Sequence, residues 1–197
     1  MLIGILTFHY ADNYGALLQA FALQKYLSEN GHTVYFLNYI PEKEKKFYSD
    51  KIFCSDGIKL LAKKIISNIQ RKDSIKVFSN FRAKYFSIPI TGKIMNNTDA
   101  LIVGSDQVWN ERIVGNIEPY LFAGEAVGIK KISYAASIGS THVTDKSLNM
   151  LSMYLKDFYA ISVREYTSEL LLSSIGIKCQ TVSDPVFLLE KKFWDVF

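Results

Sequence analysis

The residues that could do chemistry sit at the ends of apolar runs. His9, Asp12 and Asn13 form a polar cluster between LIGIL and the long, helix-like ALLQAFALQKYL. Later runs end in the same way. Gly104, Ser105, Asp106 and Gln107 follow ALIV, Ser137 follows ISYAA, Arg164 and Glu165 follow AISV, and Asp184 and Pro185 follow TVS. Histidine and the carboxylates are the side chains that exchange protons near neutral pH. The planar fork of an arginine suits a carboxylate or a phosphate. His9 is therefore a candidate base, Asp106 a candidate catalytic carboxylate and Arg164 a candidate anion ligand. Each also has a structural alternative. Asn13 can cap the following helix, Ser105 or Asp106 can cap a short one, and Arg164 can pair with Glu165 or Asp184. Trp109 suits the core. His32 and His142 read as surface residues.

The elements that must position these groups are legible from periodicity. Strands are expected over Leu2–Phe8, Thr33–Tyr39, Asp99–Gly104, Lys131–Ser137, Tyr159–Glu165 and Lys178–Asp184. Helices are expected over Gly15–Asn30, Thr144–Phe158 and Thr167–Ile175, the first closed by Gly31. Buried strands alternating with helices predict an α/β fold with a doubly wound, mostly parallel sheet. In such a sheet the strand ends share one edge, and ligands bind in the crevice there. The polar clusters would then face one site. Gly15 allows close backbone approach at a helix start, where free N–H groups favour an anion, and Gly104 would do the same after its strand. Neither turn is GxGxxG or GxxxxGK[ST], so neither a dinucleotide fingerprint nor a P-loop is present.

Residues 42–86 break the rhythm. They carry most of the basic excess and two amphipathic patterns, one with Ile58, Leu61, Ile65 and Ile69, the other with Ile75, Phe78, Phe81 and Phe86. This reads as an inserted helical pair over the sheet edge or a cleft. The chain has 197 residues, 49% of them hydrophobic and 21% charged, a globular composition with enough length for a core. The net charge of +4 is mild and reads as a solvated basic face, so no nucleic-acid partner is expected. Cys54 and Cys179 stand far apart without CxxC spacing. No metal site and no cofactor is expected, and a reduced, cytoplasmic setting fits. No signal peptide is expected, and no apolar run reaches the roughly 18 residues of a membrane span.

Taken together, IGILTFHYADNYGALLQAFALQKYL, DALIVGSDQVWN, KISYAASIG, ISVREYTSELL and VSDPVFLL resemble the polysaccharide pyruvyl transferase family, in the family's order and from about Leu2 to Leu189. The basic insertion matches weakly. The resemblance implies a Rossmann-like half of a GT-B-type architecture. Residues 1–189 would form that N-terminal domain, with the insertion at about 42–86, and 190–197 would begin a link to a second domain. It implies transfer of a pyruvyl group from phosphoenolpyruvate to sugar hydroxyls as a ketal, in surface or exopolysaccharide biosynthesis. The partners would be phosphoenolpyruvate and a glycan or lipid-linked sugar. Peripheral contact with the inner face of the membrane and homo-oligomerisation stay open.

By the same resemblance, Arg164 holds the donor. The Asp12–Gly15 turn, with Asn13 and Tyr14, and Ser105–Gln107 surround the reacting groups. Asp12, Asp106 and His9 are then the expected catalytic residues, and Gly104, Ser137 and Asp184 complete the expected substrate contacts. Two alternatives are a glycosyltransferase using a nucleotide sugar and a non-catalytic sugar-binding or assembly module. A chain that supplies only one wall of such a cleft is expected to be an incomplete enzyme.

Overall fold

The computed structural model describes residues 1–41, 43, 75–115, 118–124 and 126–195. Strand β1 (Leu2–Leu6) leads through α1 (Tyr14–Glu29) to β2 (Thr33–Leu37). Helix α2, residues 75–85, precedes β3 (Ile90–Thr91) and β4 (Ala100–Val103). After a short α3 (Glu111–Val114) come β5 (Lys130–Ala136), α4 (Asp145–Leu155), β6 (Ala160–Val163), α5 (Tyr166–Ser174) and β7 (Gln180–Thr181). A 3-10 turn at Pro185–Leu188 and α6 (Lys191–Trp194) follow.

The described strands form one parallel sheet in the order β3-β2-β1-β4-β5-β6-β7. Side chains alternate between its faces, as the pleat requires. Ile3, Ile5, Val34, Phe36 and Ile102 enter one apolar cluster with Ala20 and Leu23 of α1. Tyr35, Leu37, Leu101 and Val103 enter the other, with Leu151 and Leu155 of α4 and Leu172 of α5. Helices on both faces bury the sheet twice, which explains why the central strands β1, β2 and β4 are apolar along almost their whole length. The expected doubly wound α/β architecture is present. No helix among the described residues is long and apolar enough to cross a membrane.

α1 is buried along most of its circumference, because α2 and the 3-10 turn cover the side that the sheet does not. Phe21 packs against Phe81 and Tyr85 of α2 and against Trp194. At the helix end, the N–H of Gly31 donates to Ser28 O and that of His32 to Leu27 O. Gly31 takes φ +81°. This is a Schellman closure one residue past the helix, where glycine avoids a Cβ clash.

The described elements differ from the expected ones in places. The last strand is Gln180–Thr181 and not Lys178–Asp184. Among the described residues it pairs with β6 alone, and Asp184 turns away to cap the 3-10 turn, accepting from the Val186 N–H at 3.1 Å. The two-residue edge strand β3 was not expected, since two residues carry no period. Of the inserted pair, the second helix exists over 75–85, though Ile75 is exposed. The first helix, with Ile58, Leu61, Ile65 and Ile69, lies outside the described residues.

Candidate active site

Strand order runs outward from β1 in one direction and from β4 in the other. The crevice between their carboxyl ends is the topological switch point, where open α/β sheets bind ligands. A cleft of about 660 Å³ lies there. Asp12, Asn13 and Gly15 line it from the β1–α1 turn, Asp106 and Gln107 from the end of β4, Arg164 from the end of β6, and Asp184 after β7. Seven of the residues expected from the sequence thus share one cavity.

The wall at β1–α1 is held from a distance. Arg82 of α2 donates from Nη2 to Asp12 Oδ1 at 2.8 Å, and from Nη1 to the carbonyls of Tyr10 and Ala11 at 3.0 and 3.3 Å. A guanidinium that gathers two turn carbonyls and a carboxylate uses its fork in a way lysine could not. Sequence reasoning missed Arg82. It lies in a helix read as plain amphipathic packing, some 70 positions from its partners, and no local motif marks it. Asn13 is the helix cap as well as a lining residue, its Oδ1 accepting from the Ala16 N–H at 3.2 Å. Tyr14 is exposed, edge-on to Phe78 at 4.9 Å.

The opposite wall is held from within. Arg164 donates from Nε to Glu165 Oε1 at 3.1 Å and from Nη1 to Asp184 Oδ2 at 3.3 Å. Both structural pairings weighed for it are present, yet it still lines the cleft. Asp106 takes φ +80°, in the left-handed region that Asp tolerates better than most residues. Its Oδ1 accepts from the Gln107 N–H at 2.7 Å. Burial raises the Asp106 pKa above the usual aspartate value, opposed by the Gln107 N–H and by the charge of Arg164. Asp106 therefore keeps its proton to higher pH than an ordinary aspartate.

Four expected residues lie behind the cleft surface. His9 is 2% exposed, stacked on Phe36 at 4.7 Å, with Nδ1 3.1 Å from Thr7 O. Burial lowers its pKa to about 4, so it is a neutral core histidine, and the base expected at this strand end does not reach the cleft. Gly104 packs against the neighbouring strand. With φ +104°, a Cβ there would fall 2.6 Å from Tyr134 O, so glycine lets β4 pack against β5. Ser105 is fully buried and acts through Asp184, donating from Oγ toward Asp184 Oδ2 at 3.4 Å and Ala135 O at 3.1 Å. Ser137 is also fully buried. Its N–H donates to Asp106 O at 2.9 Å and its carbonyl accepts from the Trp109 N–H at 3.2 Å, bracing the Asp106 turn from below. Trp109 plugs the core, as expected, and donates from Nε1 to Leu121 O at 3.2 Å.

The geometry offers a carboxyl with a raised pKa beside an arginine, two further carboxylates and a capped helix start, in a cavity that opens to solvent. That set can bind an anion and move protons to or from it. The family model described as polysaccharide pyruvyl transferase matches residues 13–197, a span that holds the cleft residues after Asp12. No curated protein and no solved structure was found to match the chain. The match extends over most of the sequence, and the chain belongs to the polysaccharide pyruvyl transferase family.

Proposed function

We propose that the protein transfers a pyruvyl group from phosphoenolpyruvate to two hydroxyls of a sugar, forming a ketal during surface or exopolysaccharide biosynthesis. The observation that carries the reading is the pairing of Asp106, held toward its protonated form, with Arg164 in the switch-point cleft. Arg164 receives the donor's carboxylate or phosphate by exchanging its bonds to Glu165 and Asp184 for bonds to the substrate. The N–H groups at the start of α1 assist with negative charge.

The chemistry then needs a proton at the donor methylene. Asp106 delivers it as general acid, so the methylene becomes a methyl group and the neighbouring carbon gains oxocarbenium character. The first sugar hydroxyl adds to that carbon. The carbon–oxygen bond to phosphate breaks, and the second hydroxyl closes the ketal. Two hydroxyl protons are released, one replacing the proton given by Asp106 and one leaving with phosphate. Asp12, positioned by Arg82, accepts from an incoming hydroxyl. His9 takes no part. In this reading residues 1–189 are one Rossmann-like half of a two-domain cleft, with 190–197 starting the link to the other half.

The test is phosphate release from phosphoenolpyruvate by the complete protein with hexopyranoside acceptors, with the ketal methyl group followed by NMR. Calorimetry on the same protein compares phosphoenolpyruvate with nucleotide sugars. Binding of a nucleotide sugar without binding of phosphoenolpyruvate would replace this reading with a glycosyltransferase.

A further inference from the structure

A second hollow, about 510 Å³, opens over the carboxyl ends of β5 and β6 and adjoins the cleft. Gln107 lines both cavities. Its amide orientation is set by a short relay. The Arg112 N–H donates to Asn110 Oδ1 at 2.9 Å, and Asn110 Nδ2 donates to Gln107 Oε1. Gly139 lies directly against this pair, since a Cβ there would fall 2.5 Å from Asn110 Nδ2 and 2.7 Å from Gln107 Oε1. The carbonyl end of Gln107 is thus occupied. Its Nε2 has no hydrogen-bond partner among the described residues, so a locked amide donor remains at the junction of the two cavities.

The rest of the hollow is hydroxyl-rich and balanced in charge. Thr141 and Thr167 contribute hydroxyls, His142 a ring, and Arg112 and Glu165 one charge of each sign. An anion would gain little there, because Arg112 already has the Glu111 carboxylate near it and Glu165 is paired with Arg164. A neutral polyol suits the threonine hydroxyls and the amide donor, since a hydroxyl both donates and accepts. The volume falls within the range of small-molecule sites.

We propose that this hollow is the acceptor subsite, that its occupant is a neutral hexopyranose, and that Gln107 Nε2 orients the sugar for reaction in the adjoining cleft. The proposal rests on the pyruvyl-transfer reading for the reaction, but not for the binding. A ketal needs two hydroxyls of one ring delivered to one carbon, so rotation of the ring has to be suppressed. A fixed donor next to Asp106 does this. It grips one hydroxyl at the boundary while the threonines hold the far side of the ring.

The experiment uses the complete protein and three variants, Gln107→Leu, Thr141→Val and Thr167→Val. Both threonines are exposed, so their replacement leaves the core untouched. Acceptor KM should rise about three- to ten-fold in each threonine variant and at least about ten-fold in Gln107→Leu, with the phosphoenolpyruvate KM within about two-fold of wild type. Equal movement of both KM values, or of neither, overturns the subsite. Saturation-transfer NMR with methyl gluco-, galacto- and mannopyranosides decides the matter even if no pyruvyl transfer occurs. A glycoside signal in wild type that is lost in Gln107→Leu supports the subsite. A signal that persists unchanged in all three variants, or no signal in wild type, removes it.

Discussion

The two walls of the cleft are built by opposite strategies. On the β4–β6–β7 side each polar group is held by a close neighbour in sequence: Asp106 by Gln107, Arg164 by Glu165, Asp184 by Val186. Long-range bonds, such as Ser105 to Asp184, only tie these local units together. On the β1–α1 side, the turn carbonyls and Asp12 are gathered by Arg82, which arrives on a separate helix. The first wall is preorganised by the sheet that carries it. The second depends on how firmly α2 is docked. Phe21 against Phe81 and Tyr85, and Gln24 Nε2 donating to Tyr85 O at 2.6 Å, supply that docking. A cleft with one self-held wall and one tethered wall concentrates its adjustable part on the tethered side.

The comparison can be broken most severely at Asp106. Asp106→Asn keeps the acceptor oxygen for the Gln107 N–H and tolerates the positive φ, but removes the proton that the proposed general acid would transfer. Turnover should fall about 10²- to 10⁴-fold. The raised aspartate pKa means that stability is lost as pH rises from the ordinary aspartate value through the raised one, so the asparagine variant should match or exceed wild-type stability at pH 7. Steady-state kinetics beside a urea melt checks both halves, and a poorly folded asparagine variant would discredit the account of this wall.

Arg164→Lys comes next. It preserves charge and loses the fork that spans Glu165 and Asp184 and, in the proposed reaction, the donor. The expected loss is about 1–3 kcal/mol in kcat/KM for phosphoenolpyruvate, with little change in acceptor KM. Unchanged donor kinetics would take Arg164 out of the donor site.

His9 gives a pH signature behind the tethered wall. Its folded pKa, about 4, lies below the ordinary value of 6.5, so between these values the unfolded chain binds more protons than the folded one. Stability is then lost as pH falls from about 6.5 toward 4. Between pH 7 and 5 the contribution is about 2 kcal/mol. Urea midpoints should drop over that interval in wild type and drop less in His9→Gln. Parallel curves would mean that His9 is not the group responsible.

The smallest effect is expected at the tether itself. Arg82→Ala should lower kcat about ten-fold by loosening Asp12, and cost about 1 kcal/mol of stability at this partly exposed position. Arg82→Lys should recover less than half of the loss on a logarithmic scale, and added guanidinium should restore part of the activity of the alanine variant. Wild-type turnover in Arg82→Ala would show that the two walls do not differ in this respect.

Much of the fold was legible because its signals are local. The apolar strands, the Asn13 cap and the closure at Gly31 each depend on residues within about one helical turn, and so does the placement of Asp106 and Arg164 just past buried strands. Their gathering on one edge follows from parallel pairing alone. What the sequence could not settle depended on approach between distant segments. His9 stands at a strand end like Asp106, yet Phe36 on β2 covers it and makes it core. Gly104 reads as a ligand-facing glycine until Tyr134 O is found where its Cβ would be. Arg82 looks like any charge on an amphipathic helix until that helix docks beside the Asp12 turn. Local periodicity sets which face of an element is apolar. Only packing between elements decides which polar group at a strand end meets solvent, which meets a neighbour, and which is buried.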